Sequence, residues 1–124
     1  MFRSTKALVL ALAVLGAGAA QAGEIHSYLQ SVLSNTAPDK PVSTLVFMAD
    51  QVDLDALTAE LDARNAKRRE RHERVVRALK AKAAGTQADL LAELQRRRTE
   101  GSVESFEAFW ISNAFRVDAR KGAI

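Results

Sequence analysis

The chain has 124 residues, with 18 basic and 15 acidic side chains, a formal charge of +3 and no cysteine. That length suits one small domain. The missing thiols exclude disulfide staples and lipid attachment through cysteine, and so modest a charge argues against nucleic acid as a partner.

The first 22 residues carry the three-part pattern of a secretory signal peptide: Arg3 and Lys6, an apolar run from Ala7 to Ala20, and the small-x-small sequence Ala20-Gln21-Ala22. The run is shorter than the roughly 20 residues that span a bilayer. Cleavage between Ala22 and Gly23 predicts an exported protein, periplasmic or extracellular, with no membrane segment afterwards. Arg3 and Lys6 leave with the peptide, so 16 basic residues face 15 acidic ones and the net charge falls to +1.

Residues 23–41 read as a leader. Ile25, Tyr28, Leu29, Val32 and Leu33 stand at helical spacing, and Pro38 and Pro41 break the pattern. Val42 to Ala49 is β-branched and apolar, which predicts a buried strand in the middle of a sheet. Asp53 is placed to cap a helix whose stripe starts with Leu54, Leu57 and Leu61. Residues 63–74 have only alanines on that stripe and residues 67–74 are almost wholly charged, which predicts a solvated, bent or interrupted middle. Glu70–Arg74 and Glu73–Arg77 have favourable i,i+4 order. This interleaving suits a solvated face better than a phosphate or anionic-lipid patch. The stripe returns with Val75, Val76, Leu79 and Ala83, and Gly85 is expected to end the helix.

Thr86 and Asp89 have capping-box spacing, so a second helix is expected over Leu90, Leu91 and Leu94, closed by Arg96–Arg98 and stopped at Gly101. The rest alternates as two strands. Phe106, Ala108 and Trp110 share one face of the first, with Ser105, Glu107 and Phe109 on the other. In the second, Phe115, Val117 and Ala119 alternate with Ala114, Arg116 and Asp118. Strand, helix, helix, strand, strand predicts an α+β fold: an open antiparallel sheet with helices on one face.

The residues carry no catalytic constellation. His26 and His72 lie in the leader and in a charged helix, no serine sits in a nucleophile elbow, and no phosphate loop occurs. A binding protein with no metal and no cofactor is the expectation.

Residues 101–124 resemble the hairpin segment of subtilisin propeptides, the inhibitor-like prodomains of secreted subtilisin-type serine proteases. The resemblance rests on Gly101, a strand ending in Phe109-Trp110, and Ile111-Ser112-Asn113-Ala114-Phe115-Arg116-Val117. Val42 to Asp50 looks like the family's first strand, and the Arg-rich helix with residues 86–91 like a long crossover. The resemblance implies a ferredoxin-like βαββαβ sheet, of which residues 42–124 supply the βααββ part. The second helix, the fourth strand and the inhibitory tail that lies in the protease cleft are not in this sequence. It further implies a protease inhibitor or intramolecular chaperone module whose partner is a subtilisin-like protease domain. The hairpin residues Glu107, Phe109, Asn113, Phe115 and Val117 are its expected partner interface. The rival expectation is an independent periplasmic helical adaptor or binding protein.

Overall fold

The computed structural model describes residues 23–124; the expected signal peptide, including Ala22, lies outside the described residues. The elements are α1 (Ser27–Asn35), β1 (Pro41–Phe47), α2 (Leu54–Ala63), α3 (Arg68–Thr86), α4 (Ala88–Glu100), β2 (Val103–Phe109), β3 (Ala114–Arg120) and a 3-10 turn, Lys121–Ala123.

The three strands form one antiparallel sheet in the order β1-β3-β2. Both outer strands run opposite to β3, so β1 and β2 are parallel to each other with β3 inserted between them. This is a split β-α-β arrangement, the crossover being α2 to α4. The expected α+β class and the open antiparallel sheet are therefore present. The expected central place of the first strand is not: β1 is an edge and β3 is the centre. Its continuous apolar run has a different cause. Val42 and Thr44 are buried on the inner face, while Leu45 and Phe47 alternate onto the outer face and stay exposed. Both faces of β1 are apolar at this corner, which the run reports, but only one of its edges is paired.

The core lies on the inner face. Val103, Phe115, Val117 and Ala119 pack there with Leu94 of α4, flanked by Leu90, Phe106, Met48 and Ile124. The helix packing on the sheet is carried chiefly by α4 against β2. A second cluster, Leu57, Leu61 and Ala66 with Val52, Val75 and Ala78, joins α2 to α3 away from the sheet.

Local chemistry fixes where the helices begin and end. Asp53 caps α2 by accepting the Ala56 N–H at 2.8 Å, as its position predicts. The helix is fully broken at residues 64–67, and the charged stretch after it is helical from Arg68 on. Asn65 takes a left-handed φ of 51°, the Ala66 N–H reaches the Leu61 carbonyl at 2.9 Å, and the Asn65 N–H reaches that of Asp62 at 3.0 Å. This is a Schellman stop, and Ala66 packs beside Leu61 as that motif requires. Gly101, with φ 85°, ends α4 the same way: Ser102 N–H bonds to the Arg97 carbonyl and Gly101 N–H to that of Arg98.

Gly85 does not end a helix. The chain stays right-handed through Gln87, whose N–H bonds to Ala83 and whose carbonyl accepts from Leu91. The capping box at Thr86 and Asp89 does not form either. The Thr86 hydroxyl instead donates to the Lys82 carbonyl at 2.8 Å and engages Asn113.

Candidate docking surface

The registers place side chains of three strands in rows across the outer face. Phe47, Ala114 and Phe109 make one row, Leu45, Arg116 and Glu107 the next, and Ser43, Asp118 and Ser105 the third. Between its aromatic neighbours Ala114 is buried, whereas Phe47 is 62% and Leu45 59% exposed. Phe109 is half-buried and Ile111, in the hairpin loop beside it, is exposed. One end of this face is apolar and the other polar.

The polar end is internally ordered. Ser105 donates its hydroxyl to the Asp118 carboxylate at 2.6 Å, and the Arg116 guanidinium lies 3.6 Å from Glu107 and 3.7 Å from Asp118. The Ser105 hydroxyl first, then that of Ser43 and the charge of Arg116, hold the Asp118 carboxyl below the usual carboxylate range. Its negative charge is thus fixed across the neutral range.

The five residues expected to form an interface divide among three places. Glu107 and Phe109 stand on the outer face. Phe115, fully buried, and Val117 point the other way into the α4 core. The two-residue period of a strand puts odd-numbered residues of β3 on the side opposite Arg116 and Asp118, so no partner reaches them in this fold.

Asn113 is 2% exposed and is a structural hub, not a contact surface. It adopts a left-handed φ of 44° at the end of the hairpin loop. Its amide nitrogen donates to the Asp50 carbonyl at 2.8 Å and to the Thr86 hydroxyl at 2.9 Å. Its amide oxygen accepts from Gln87 at 3.0 Å, and its backbone carbonyl accepts the Met48 N–H at 2.9 Å. One side chain therefore ties the hairpin to the end of β1 and to the α3–α4 junction. Trp110 also departs from expectation. It lies in the loop after β2, half-buried, with the Lys80 ammonium 5.1 Å from its ring centroid.

Leu45, Phe47 and Arg116 are the outer-face residues that the sequence reading did not single out. The signal was present, since strict alternation along residues 42–47 sets Leu45 and Phe47 opposite Thr44 and Val46. It was masked because both sets are apolar.

His26 caps α1 by accepting the Tyr28 N–H, and His72 is exposed on α3. No group of three His, Cys, Asp or Glu among the described residues is placed to hold a metal ion, and no described helix is long and apolar enough to cross a membrane. Comparison with family models, with curated proteins and with solved structures finds no match to this chain.

Proposed function

We propose that this chain is an exported docking module of the subtilisin-propeptide type, which binds a subtilisin-like serine protease domain through the outer face of its sheet and acts as inhibitor or folding aid without chemistry of its own. The observation that carries the reading is that outer face. Exposed Leu45 and Phe47 with half-buried Phe109 form an apolar end of the sheet, beside the charged side chains of Arg116, Glu107 and Asp118. A soluble domain rarely leaves such a group uncovered unless a partner takes it.

The strand order supports the same reading. In a βαββαβ sheet the first three strands stand as β1-β3-β2, and the remaining helix and strand add on the β1 side. Here that side is open in two ways: β1 has one free edge among the described residues, and a groove of about 250 Å³ lies between α4 and the inner face of β1, lined by Thr44, Val46, Leu90 and Ile124 among others. On this reading the chain is the N-terminal part of the propeptide pattern. Docking by the outer face of the sheet is the mode this reading rests on.

The test is to dilute a denatured secreted subtilisin-type protease domain into buffer with and without the full chain and to follow recovered activity, then to add the chain to the folded enzyme. Faster recovery or inhibition is expected, lost in the double variant Phe47→Asp, Phe109→Asp. No effect at stoichiometric excess in either assay overturns the proposal.

A further inference from the structure

The two edges of the sheet are built differently. β2 carries Glu104 and Glu107, and its register shifts between Val103 and Ser105, a bulge. Charge and bulge are two of the ways in which an edge strand is guarded against pairing with another chain. β1, Pro-Val-Ser-Thr-Leu-Val-Phe, has no charge and no bulge, and all seven of its residues are in register with β3.

The hydrogen-bond phase of the free edge follows from one contact. Met48 donates its N–H to the Asn113 carbonyl. In an antiparallel ladder the direction alternates residue by residue. Val46, Thr44 and Val42 therefore turn their N–H and C=O groups toward β3, and Phe47, Leu45 and Ser43 turn theirs outward. Pro41, which has no N–H, falls on the outward phase, where no donor is missed inside the sheet.

We propose that β1 pairs antiparallel with β1 of a second copy of this chain, about a two-fold axis at Leu45, to make a continuous six-stranded sheet. In that register Leu45 faces the second copy's Leu45, and Ser43 and Phe47 each face the other's counterpart. Each strand donates the outward N–H groups of Ser43, Leu45 and Phe47 to the other. The arrangement is self-complementary, as an isologous contact must be. An uncharged β1 meets its copy without like-charge repulsion, whereas two β2 edges would bring glutamates together. Because only one edge is unguarded, the assembly closes at two copies. The outer faces join, so that the Leu45 side chains become neighbours and the apolar end doubles. This inference does not rest on protease docking, and its readout is separate.

Light scattering coupled to size exclusion, over a range of concentrations of the full chain, is expected to report the mass of two chains. Leu45→Lys places two ammonium groups across the axis and is expected to raise the dissociation constant on the order of 100-fold or more. Leu45→Pro deletes an N–H that β3 does not use and is expected to do the same. Leu45 is exposed, so the lysine variant keeps its far-ultraviolet circular dichroism and carries the test alone should the proline variant unfold. Glu104→Gln is expected to leave the dimer intact. A wild-type monomer at all concentrations, a dimer indifferent to Leu45→Lys, or open-ended aggregates in place of a dimer would each overturn the proposal. So would slow exchange of the Ser43, Leu45 and Phe47 amides that does not depend on concentration, because the edge would then be filled from within the chain.

Discussion

Around Phe115 the apolar contacts come from α4, β2 and β3, elements consecutive in the chain, and Met48, from the far end of the helical crossover, closes the rim with Ile124. Around Leu61 they come from α2, the turn after it and the facing side of α3, all within a short stretch of chain. The second cluster is also thinner, and ion pairs surround it: Arg64 with Glu70 at 2.9 Å, Arg71 with Asp62 at 2.6 Å, and Arg74 with Glu60 at 3.8 Å. Exposed pairs of this kind contribute about 0–1 kcal/mol each. The sheet is thus held by a larger buried core and by the long-range ladder between β1 and β3, and the helix pair by a small cluster, a Schellman stop and a charged fringe. Two regions so built need not unfold together.

Substitution separates them. Phe115→Ala removes a fully buried aromatic side chain and is expected to cost about 3–5 kcal/mol, seen as a lowered denaturation midpoint with loss of exchange protection over the whole sheet and α4. Leu61→Ala, also in a fully buried position, is expected to act more locally. Amide protection should fall in α2 and the N-terminal half of α3 while β3 retains most of its own. Equal loss of protection in β3 from both variants would show that the molecule is one cooperative unit.

The two regions were also unequally legible. The hairpin, the Gly101 stop and the Asp53 cap follow from short-range rules: alternation, a glycine where φ must be positive, an acid before an apolar stripe. The interruption was legible from the loss of the apolar stripe, but its place at residues 64–67 was not, because Asn65 carries no mark that separates a left-handed stop from a polar position on a solvated helix. The α3–α4 junction was misread for a non-local reason. Thr86 has the spacing of a cap, but Asn113, 27 residues further on, engages its hydroxyl. The expected interface mixed the two faces of the sheet, Glu107 and Phe109 on the outer one and Phe115 and Val117 on the inner one, because alternation defines two faces without saying which one the helices cover. Asn113 was noticed for the right position and the wrong role, since burial cannot be read from an exposed-looking loop sequence.

That residue supplies the next sharpest test, because it joins the sheet to the helical arm. Asn113→Ala loses the amide and also meets the left-handed backbone without glycine's freedom. Asn113→Gly loses the amide alone. Leaving the Asp50 carbonyl, Thr86 and Gln87 without their partner is expected to cost about 1–3 kcal/mol in both, and the alanine variant is expected to be worse by about 1–2 kcal/mol. If the hub couples the regions, either variant should also make the unfolding of α3 less cooperative with that of the sheet. Near-ultraviolet circular dichroism of Trp110, which lies in the hairpin loop beneath Lys80 of α3, reports the loss on both sides at once. A variant as stable as wild type would mean that water replaces the amide without cost.

The smallest expected effect is electrostatic and again sets sheet against helix. Asp118 on β3 and Glu93 on α4 both have carboxyls held low when folded. For Asp118 the causes are the hydroxyls of Ser105 and Ser43 with Arg116; for Glu93, lowered to about 2, they are its hydrogen bonds to Arg96 and then Arg97. A depressed folded value means that the unfolded chain binds its proton first. The stabilisation is therefore complete above the unfolded carboxylate range, near pH 4, and is lost as pH falls through the folded values. Both groups are partly exposed, so salt should weaken each contribution. Their surroundings differ, however. Glu93 depends on flexible guanidinium groups, of which Arg97 also donates to the Ala123 carbonyl at 3.0 Å, while Asp118 depends first on neutral hydroxyls set by strand register. Raising the salt concentration is therefore expected to move the titration of Glu93, followed by carboxyl carbon chemical shifts, further toward its ordinary value than that of Asp118. Ser105→Ala should raise the Asp118 value and leave Glu93 where it is. Equal salt sensitivity at the two sites would mean that Arg116, and not the serine hydroxyl, governs the sheet carboxylate.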